Sequence, residues 1–233
     1  MVKKIALTTA LFFLGAFLGA AQDAFSRGEE LFLRNKPQEA LPLLEAAAAE
    51  ENAPVKAALY LGIAYQQLDR PDEAIAVFRK ILPRAGDETA RIAFNLGNVY
   101  YTKGDFETAR QYYTQAIDAD PAYGPAYLNR ANALISKGTL REALADYELY
   151  LSLEPRSAKR PRIEQMVALL REEFAAEERR RLQAEAAARA EAERRQRLME
   201  EAAAALRTTA EESTGFSAGS EEVQGYDDEF QLE

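Results

Sequence analysis

The chain has 233 residues, 29 Lys+Arg against 38 Asp+Glu for a net charge of −9, and no Cys, His or Trp. Lack of Cys excludes a disulfide framework, a thiolate nucleophile and a zinc–sulfur site, and lack of His excludes a Ser-His-Asp triad and any imidazole base or metal ligand. An acidic chain is a poor general binder of nucleic acid, because phosphates must be met by cations, and the length sets a prior of one or two domains.

The first segment reads as a targeting signal. Lys3 and Lys4 precede an almost wholly apolar run, Ile5 to Ala21, with Leu7, Leu11, Phe12, Phe13, Leu14, Phe17 and Leu18. Gly19-Ala20-Ala21 then supplies small residues before Gln22. Charge, apolar stretch and small-residue site in that order predict a secretory signal peptide over 1–21, cleaved after Ala21. The alternative is an uncleaved anchor, since 17 apolar residues lie at the lower limit for crossing a bilayer. Either way the rest of the chain is expected outside the cytoplasm, periplasmic or tethered to the inner membrane by residues 5–21. The remaining charge falls in three blocks: −5 over 22–157, +2 over 158–207 and −8 over 208–233.

A repeat of about 34 residues fills 22–157. Leu61-Gly62 followed by Tyr65 recurs as Leu96-Gly97 followed by Tyr100. Ala74 and Ala109 lie twelve residues past each Gly, and Phe78 and Tyr113 four further on. One period earlier stand Gly28, Leu31, Ala40 and Leu44; one period later, Ala131, Leu134, Ala143 and Tyr147. Each unit reads as two amphipathic helices around a polar break: Asn35-Lys36-Pro37, Asp69-Arg70-Pro71, Lys103-Gly104-Asp105 and Lys137-Gly138-Thr139. Gly or Asn there suits a left-handed helix cap, and Pro suits the first turn of the next helix. Small residues are placed where two helices approach, Gly62 opposite Ala74 for example. Large ones such as Tyr65, Phe78, Tyr100, Tyr113, Leu134 and Tyr147 are placed between hairpins. Leu in place of Gly62 or Ala109 is expected to destabilise packing by roughly 1–3 kcal/mol, read from thermal unfolding.

These residues resemble the tetratricopeptide repeat (TPR) family, with Asn95-Leu96-Gly97-Asn98-Val99-Tyr100-Tyr101, Gly104-Asp105-Phe106, Ala109 and Pro121 similar to its consensus. Four units are expected, about 22–54, 55–88, 90–123 and 124–157. Repeat 1 departs at Arg27 and Asn52, and repeat 4 has Arg130-Ala131 where Leu-Gly is usual. The resemblance implies an all-α, right-handed TPR superhelix of helix-turn-helix repeats with a concave groove.

The chain then continues in a helix over 158–207. Ile163, Met166, Val167, Leu170 and Phe174 form an apolar stripe, predicted to cap repeat 4. Beyond it, Glu177/Arg181, Glu185/Arg189, Glu191/Arg195 and Glu193/Arg197 are i,i+4 pairs among alanines. Leu182, Leu198, Met199 and Leu206 make no sustained heptad seam, which favours a lone extended helix over a coiled coil. The acidic tail 208–233 is expected to be disordered; Val223, Tyr226 and Phe230 fall at i, i+3, i+7, where a plain solubilising tail is the favoured reading and a docking motif that folds on a partner the alternative.

For function, the resemblance implies a groove lined by Lys56, Leu59, Tyr60, Ile63, Gln66 and Gln67 from repeat 2. Repeat 3 supplies Arg91, Phe94, Asn95, Asn98, Tyr101 and Thr102, and repeat 4 supplies Leu128, Asn129, Asn132, Ile135 and Ser136. Asn95/Asn98 and Asn129/Asn132 recur at the same offsets, and an amide both donates and accepts, which suits a peptide backbone. Phe94 stands where a carboxylate-clamping TPR needs Lys, so that clamp is not expected. The arginine clusters Arg179-Arg180-Arg181 and Arg194-Arg195-Arg197 read as a solvated helix face balanced by nearby Glu, with binding of phosphates or an acidic surface as the alternative. Asp118 and Asp120 precede Pro121 and do not complete a calcium loop. No glycine-rich phosphate loop is present. The expectation is a non-catalytic scaffold without cofactor or metal that binds a protein or peptide, an envelope protein for an exported chain. It would bind no nucleic acid, and would touch membrane only through an uncleaved N-terminus. The alternative is a structural spacer acting through the long helix and acidic tail.

Overall fold

The computed structural model describes residues 23–50 and 52–217; the segment 1–21 expected to be a signal peptide and the tail from 218 onward lie outside the described residues. The described part is helical, with no strand among the described residues. The helices are α1 (23–33), α2 (Pro37–Ala49), α3 (Val55–Gln67), α4 (Pro71–Ile81), α5 (Thr89–Thr102), α6 (Phe106–Ala119), α7 (Gly124–Ser136), α8 (Leu140–Leu153) and α9 (Arg160–Ser217). The chain divides into a unit ending at Arg171 and a second unit from Glu172 onward.

The four polar breaks share one backbone device. Asn35, Asp69, Gly104 and Gly138 all have positive φ, between 55° and 79°. In each turn the next amide donates five residues back, Lys36 to Leu31, Arg70 to Tyr65, Asp105 to Tyr100 and Thr139 to Leu134, at 2.9–3.0 Å. The amide of the positive-φ residue itself donates to Phe32, Gln66, Tyr101 or Ile135. This paired cap satisfies carbonyls that a helix end leaves open and reverses the chain into the next helix. Pro37 and Pro71 begin α2 and α4, and the Asp105 carboxylate caps α6 by accepting from the Thr108 amide at 3.0 Å. Repeats 2 and 3 are spaced by 35 residues instead of 34, and two short 3₁₀ turns, Leu82–Arg84 and Gly86–Glu88, join them.

From α2 to α8 each helix packs on the next in the chain, and α5 also packs on α3 and α7. Within a hairpin the glycine is needed for the aromatic that covers it. A Cβ on Gly62 would lie 2.3 Å from the Phe78 ring, and one on Gly97 would lie 2.6 Å from the Tyr113 ring. The atoms nearest Gly62 therefore belong to Phe78, not to the Ala74 that the sequence pattern placed opposite it. Phe78 and Tyr113 fill space inside their own hairpins. Phe78, Leu44, Leu59, Ile92 and Leu96 are wholly buried in one core that runs from repeat 1 to α5, and Ala109, Tyr113 and Ala133 form a further cluster beyond it. Lys103–Asp72 and Lys137–Glu107 link successive turns across the outside.

Ile163, Val167 and Leu170 of α9 are buried, as a cap over repeat 4 requires. Arg160 donates to the Leu151 carbonyl at 3.0 Å, and Arg171 pairs with Glu148 at 2.7 Å. In the second unit, residues 172–212 are exposed except Phe174 and Ala176, which are half-buried. Helix α9 runs ten residues past Arg207, so 208–217 is helical where disorder was expected. The Thr208 and Thr209 hydroxyls bond back to the Ala204 and Ala205 carbonyls, which lets these residues stay in the helix. Among the described residues no helix is long and apolar enough to cross a membrane.

Candidate functional site

The first helices of repeats 2, 3 and 4 carry every residue predicted to line the groove. Tyr60, Ile63 and Gln66 on α3, Arg91, Phe94, Asn95, Asn98 and Tyr101 on α5, and Asn129, Asn132 and Ile135 on α7 are all half-buried. Lys56, Gln67, Thr102 and Ser136 are exposed. Leu59 and Leu128 are corrections: they are 0% and 5% exposed and belong to the core. Phe94, one period from each, stays half-exposed against Tyr113 and Tyr123, with ring centroids 5.9 and 5.3 Å away.

The structure brings the asparagines together, but as partners of each other and of tyrosines. The Asn98 Oδ1 accepts from Asn129 Nδ2 at 2.7 Å and from the Tyr113 hydroxyl at 3.0 Å. One repeat later the Asn132 Oδ1 accepts from the Tyr147 hydroxyl at 2.8 Å. Asn95 Nδ2 turns back to its own helix, at 2.7 Å from the Arg91 carbonyl, and Gln66 Nε2 donates across to the Asn95 carbonyl at 3.2 Å. Thr102 and Ser136 likewise donate to carbonyls of their own helices. Asn98, Tyr101, Thr102, Tyr113, Asn129 and Asn132 line an open recess of about 240 Å³. Burial pushes the Tyr113 hydroxyl upward, so it is a neutral donor to Asn98 throughout the ordinary pH range.

Towards the first repeat the wall becomes aromatic. Tyr60 lies between Phe25 and Phe32, with centroids 6.3 and 5.0 Å away. Burial and a hydrogen bond with Glu29 raise the Tyr60 hydroxyl, while Arg91 opposes them. Arg91 is held by Glu88 at 2.9 Å. Burial also raises Tyr123, again opposed by Arg91. Sequence reasoning missed Tyr113, Tyr147 and Tyr123 as wall residues. The first two sit on second helices of their hairpins; their hydroxyls reach the wall asparagines, and the Tyr113 ring also packs on Phe94. Tyr123 precedes α7 and follows no period.

The departure at Arg130 also resolves. Its guanidinium forms a two-pronged pair with Asp146, 2.7 Å on each arm, and donates to Thr114 at 3.1 Å. Asp146 is 4% exposed. The same two places hold Leu96 and Tyr112 in repeat 3, and Leu61 and Val77 in repeat 2. Repeat 4 thus replaces an apolar contact by an ion pair whose lone pairs and protons are satisfied.

Two matches to tetratricopeptide-repeat family models cover residues 55–122 and 94–159. Among curated proteins, human DnaJ homolog subfamily C member 7 is 45% identical over 58 residues, 25% of this chain and 12% of that protein. Protein FlbA of Caulobacter vibrioides is 31% identical over 121 residues, 52% of this chain and 20% of that protein. The chain thus spans a fifth or less of either relative. Among solved structures, MamA from Desulfovibrio magneticus RS-1 superposes with a TM-score of 0.55 at 20% identity, over 67% of this chain and 92% of that one. A second MamA structure gives 0.56 at 21% identity, over 64% and 84%. That likeness is one of fold. Family matches over 55–159, capped helical hairpins and glycines covered by aromatics show that this part of the chain is built of tetratricopeptide repeats.

Proposed function

We propose that the chain is a non-catalytic scaffold that holds a partner peptide or helix along the wall formed by α3, α5 and α7. The observation that carries this reading is the open recess of about 240 Å³ lined by Asn98, Asn129 and Asn132. Its amides are fixed before any partner arrives, because the Asn98 and Asn132 oxygens are already engaged by Tyr113, Asn129 and Tyr147. A partner's backbone carbonyls then meet the amide nitrogens, and a pre-organised wall orders little on binding. The N-terminal signal pattern supports export, with envelope proteins as partners. The test is crosslinking and capture of partners by the full-length protein against an Asn98→Ala/Asn132→Ala variant with an unchanged circular-dichroism melt. Loss of captured partners is expected.

A second reading rests on the second unit, helical from Glu172 to Ser217 and exposed along nearly its whole length. There the chain acts as a spacer. Capture that survives the asparagine changes and disappears on deleting 177–233 selects this reading.

A further inference from the structure

The acidic groups of the repeat unit are not spread evenly. Helices α3, α5 and α7 contain no Asp or Glu, and their cations are Lys56, Arg91 and Arg130. The carboxylates lie on the companion helices: Asp72 and Glu73 on α4, Glu107 and Asp118 on α6, Glu142, Asp146 and Glu148 on α8. In a chain of net charge −9 the helices that form the partner-facing wall are thus free of acidic residues, with Glu88 just before α5 and Glu29 beside Tyr60 at its margin. Arg130 is enclosed with Asp146; Arg91 gives its Nη1 to Glu88 at 2.9 Å but stays 43% exposed, so it and Lys56, at the equivalent place in α3, are the accessible cations of that wall. Beside them stand the half-buried rings of Tyr60, Phe94 and Tyr123.

The wall therefore suits a segment with several carboxylates, no cations and a few large apolar side chains. Such a segment exists in this chain. Residues 218–233 carry Glu221, Glu222, Asp227, Asp228, Glu229 and Glu233, no Lys or Arg, and Val223, Tyr226 and Phe230. We infer that the wall formed by α3, α5 and α7 binds segment 218–233 of a second copy of the chain. This rests on the scaffold reading above and names the partner. The carboxylates pair with Lys56 and Arg91, and Tyr226 and Phe230 pack on Tyr60, Phe94 and Tyr123. Opposite charge steers the encounter and selects against the acidic outer helices. A second copy receives the segment without its folding back along the helix that precedes it.

The test uses the full-length protein with its own tail disabled by Tyr226→Ser/Phe230→Ser, titrated against a fluorescent peptide of sequence 218–233 and read by anisotropy. Saturable binding is expected, weakened at least tenfold by Lys56→Gln/Arg91→Gln and by raising salt to about 0.5 M, where exposed charges are screened within a few ångströms. The unmodified chain should sediment as a concentration-dependent dimer or larger species, and the Tyr226→Ser/Phe230→Ser chain as a monomer. Absence of saturable binding overturns the inference. So does binding indifferent to Lys56→Gln/Arg91→Gln in a protein with an unchanged melt. A random Glu/Tyr copolymer separates the two readings: if it binds with dependence on Arg91 while the peptide does not, the tail assignment fails and the groove stands. If neither binds and partner capture is indifferent to the asparagine changes, both readings fail.

Discussion

Residues 23–171 and 172–217 are both helical, yet different forces hold them. In the repeats a helix buries one face, with Phe78, Leu44, Leu59, Ile92 and Leu96 wholly enclosed. In the second unit Leu182, Leu198, Met199 and Leu206 are 52–72% exposed, and the helix relies on alanine propensity and pairs such as Arg181 with Glu178 and Glu185. A helix can thus be fixed by tertiary burial or by its own sequence, and the two kinds answer differently to mutation, salt and pH.

The largest effect should come from the buried side. Phe78→Ala empties the space above Gly62 and should lower stability by about 3–5 kcal/mol in thermal or denaturant unfolding. Arg130→Leu leaves the enclosed Asp146 carboxylate without its partner and should cost about 3 kcal/mol. Adding Asp146→Tyr reproduces the Leu96/Tyr112 arrangement of repeat 3 and should recover most of that loss. A double-mutant cycle gives the coupling, and additive losses would refute the pairing argument. Alkaline pH acts more gently. Burial, then the 2.6 Å bond from its hydroxyl to Glu45, raises Tyr65 to about 12. Unfolded tyrosine ionises near 10, so its proton stays on the folded chain after the unfolded one has lost it. That contribution is complete below pH 10 and disappears between about 10 and 12, and Tyr65→Phe should flatten this part of the stability profile. The smallest effect belongs to the exposed helix: Leu182→Ala should shift the melt of the repeats by less than about 0.5 kcal/mol equivalent. A larger shift would show that this helix is covered by a partner copy.

Much of this contrast is legible in the amino-acid order. The Leu-Gly…Tyr spacing marks the hairpins, and the loss of an apolar stripe after Phe174 marks where burial stops. Asn35 and Asp69 stand in register with Gly104 and Gly138, which identifies four equivalent caps. The details of the wall were less accessible. Leu128 shares a period with the half-exposed Phe94 but is covered, because covering depends on the neighbouring helix, not on position within a repeat. That Asn98 meets Asn129 follows from how α5 and α7 pack, a relation across 31 residues that no spacing encodes. Arg130 stood out as a departure, but its partner Asp146 became evident only when α7 and α8 were laid side by side. The end of α9 was missed because threonine reads as a breaker until its hydroxyl finds a carbonyl one turn back.

The four equivalent left-handed caps have a kinetic consequence. Every bond in them joins residues five or fewer apart in the chain, so each reversal closes without waiting for distant partners. Assembly then proceeds by accretion, one preset bend laid against the last, and low contact order of this kind favours rapid folding. A protein synthesised from its amino end can zip up in the order in which it emerges.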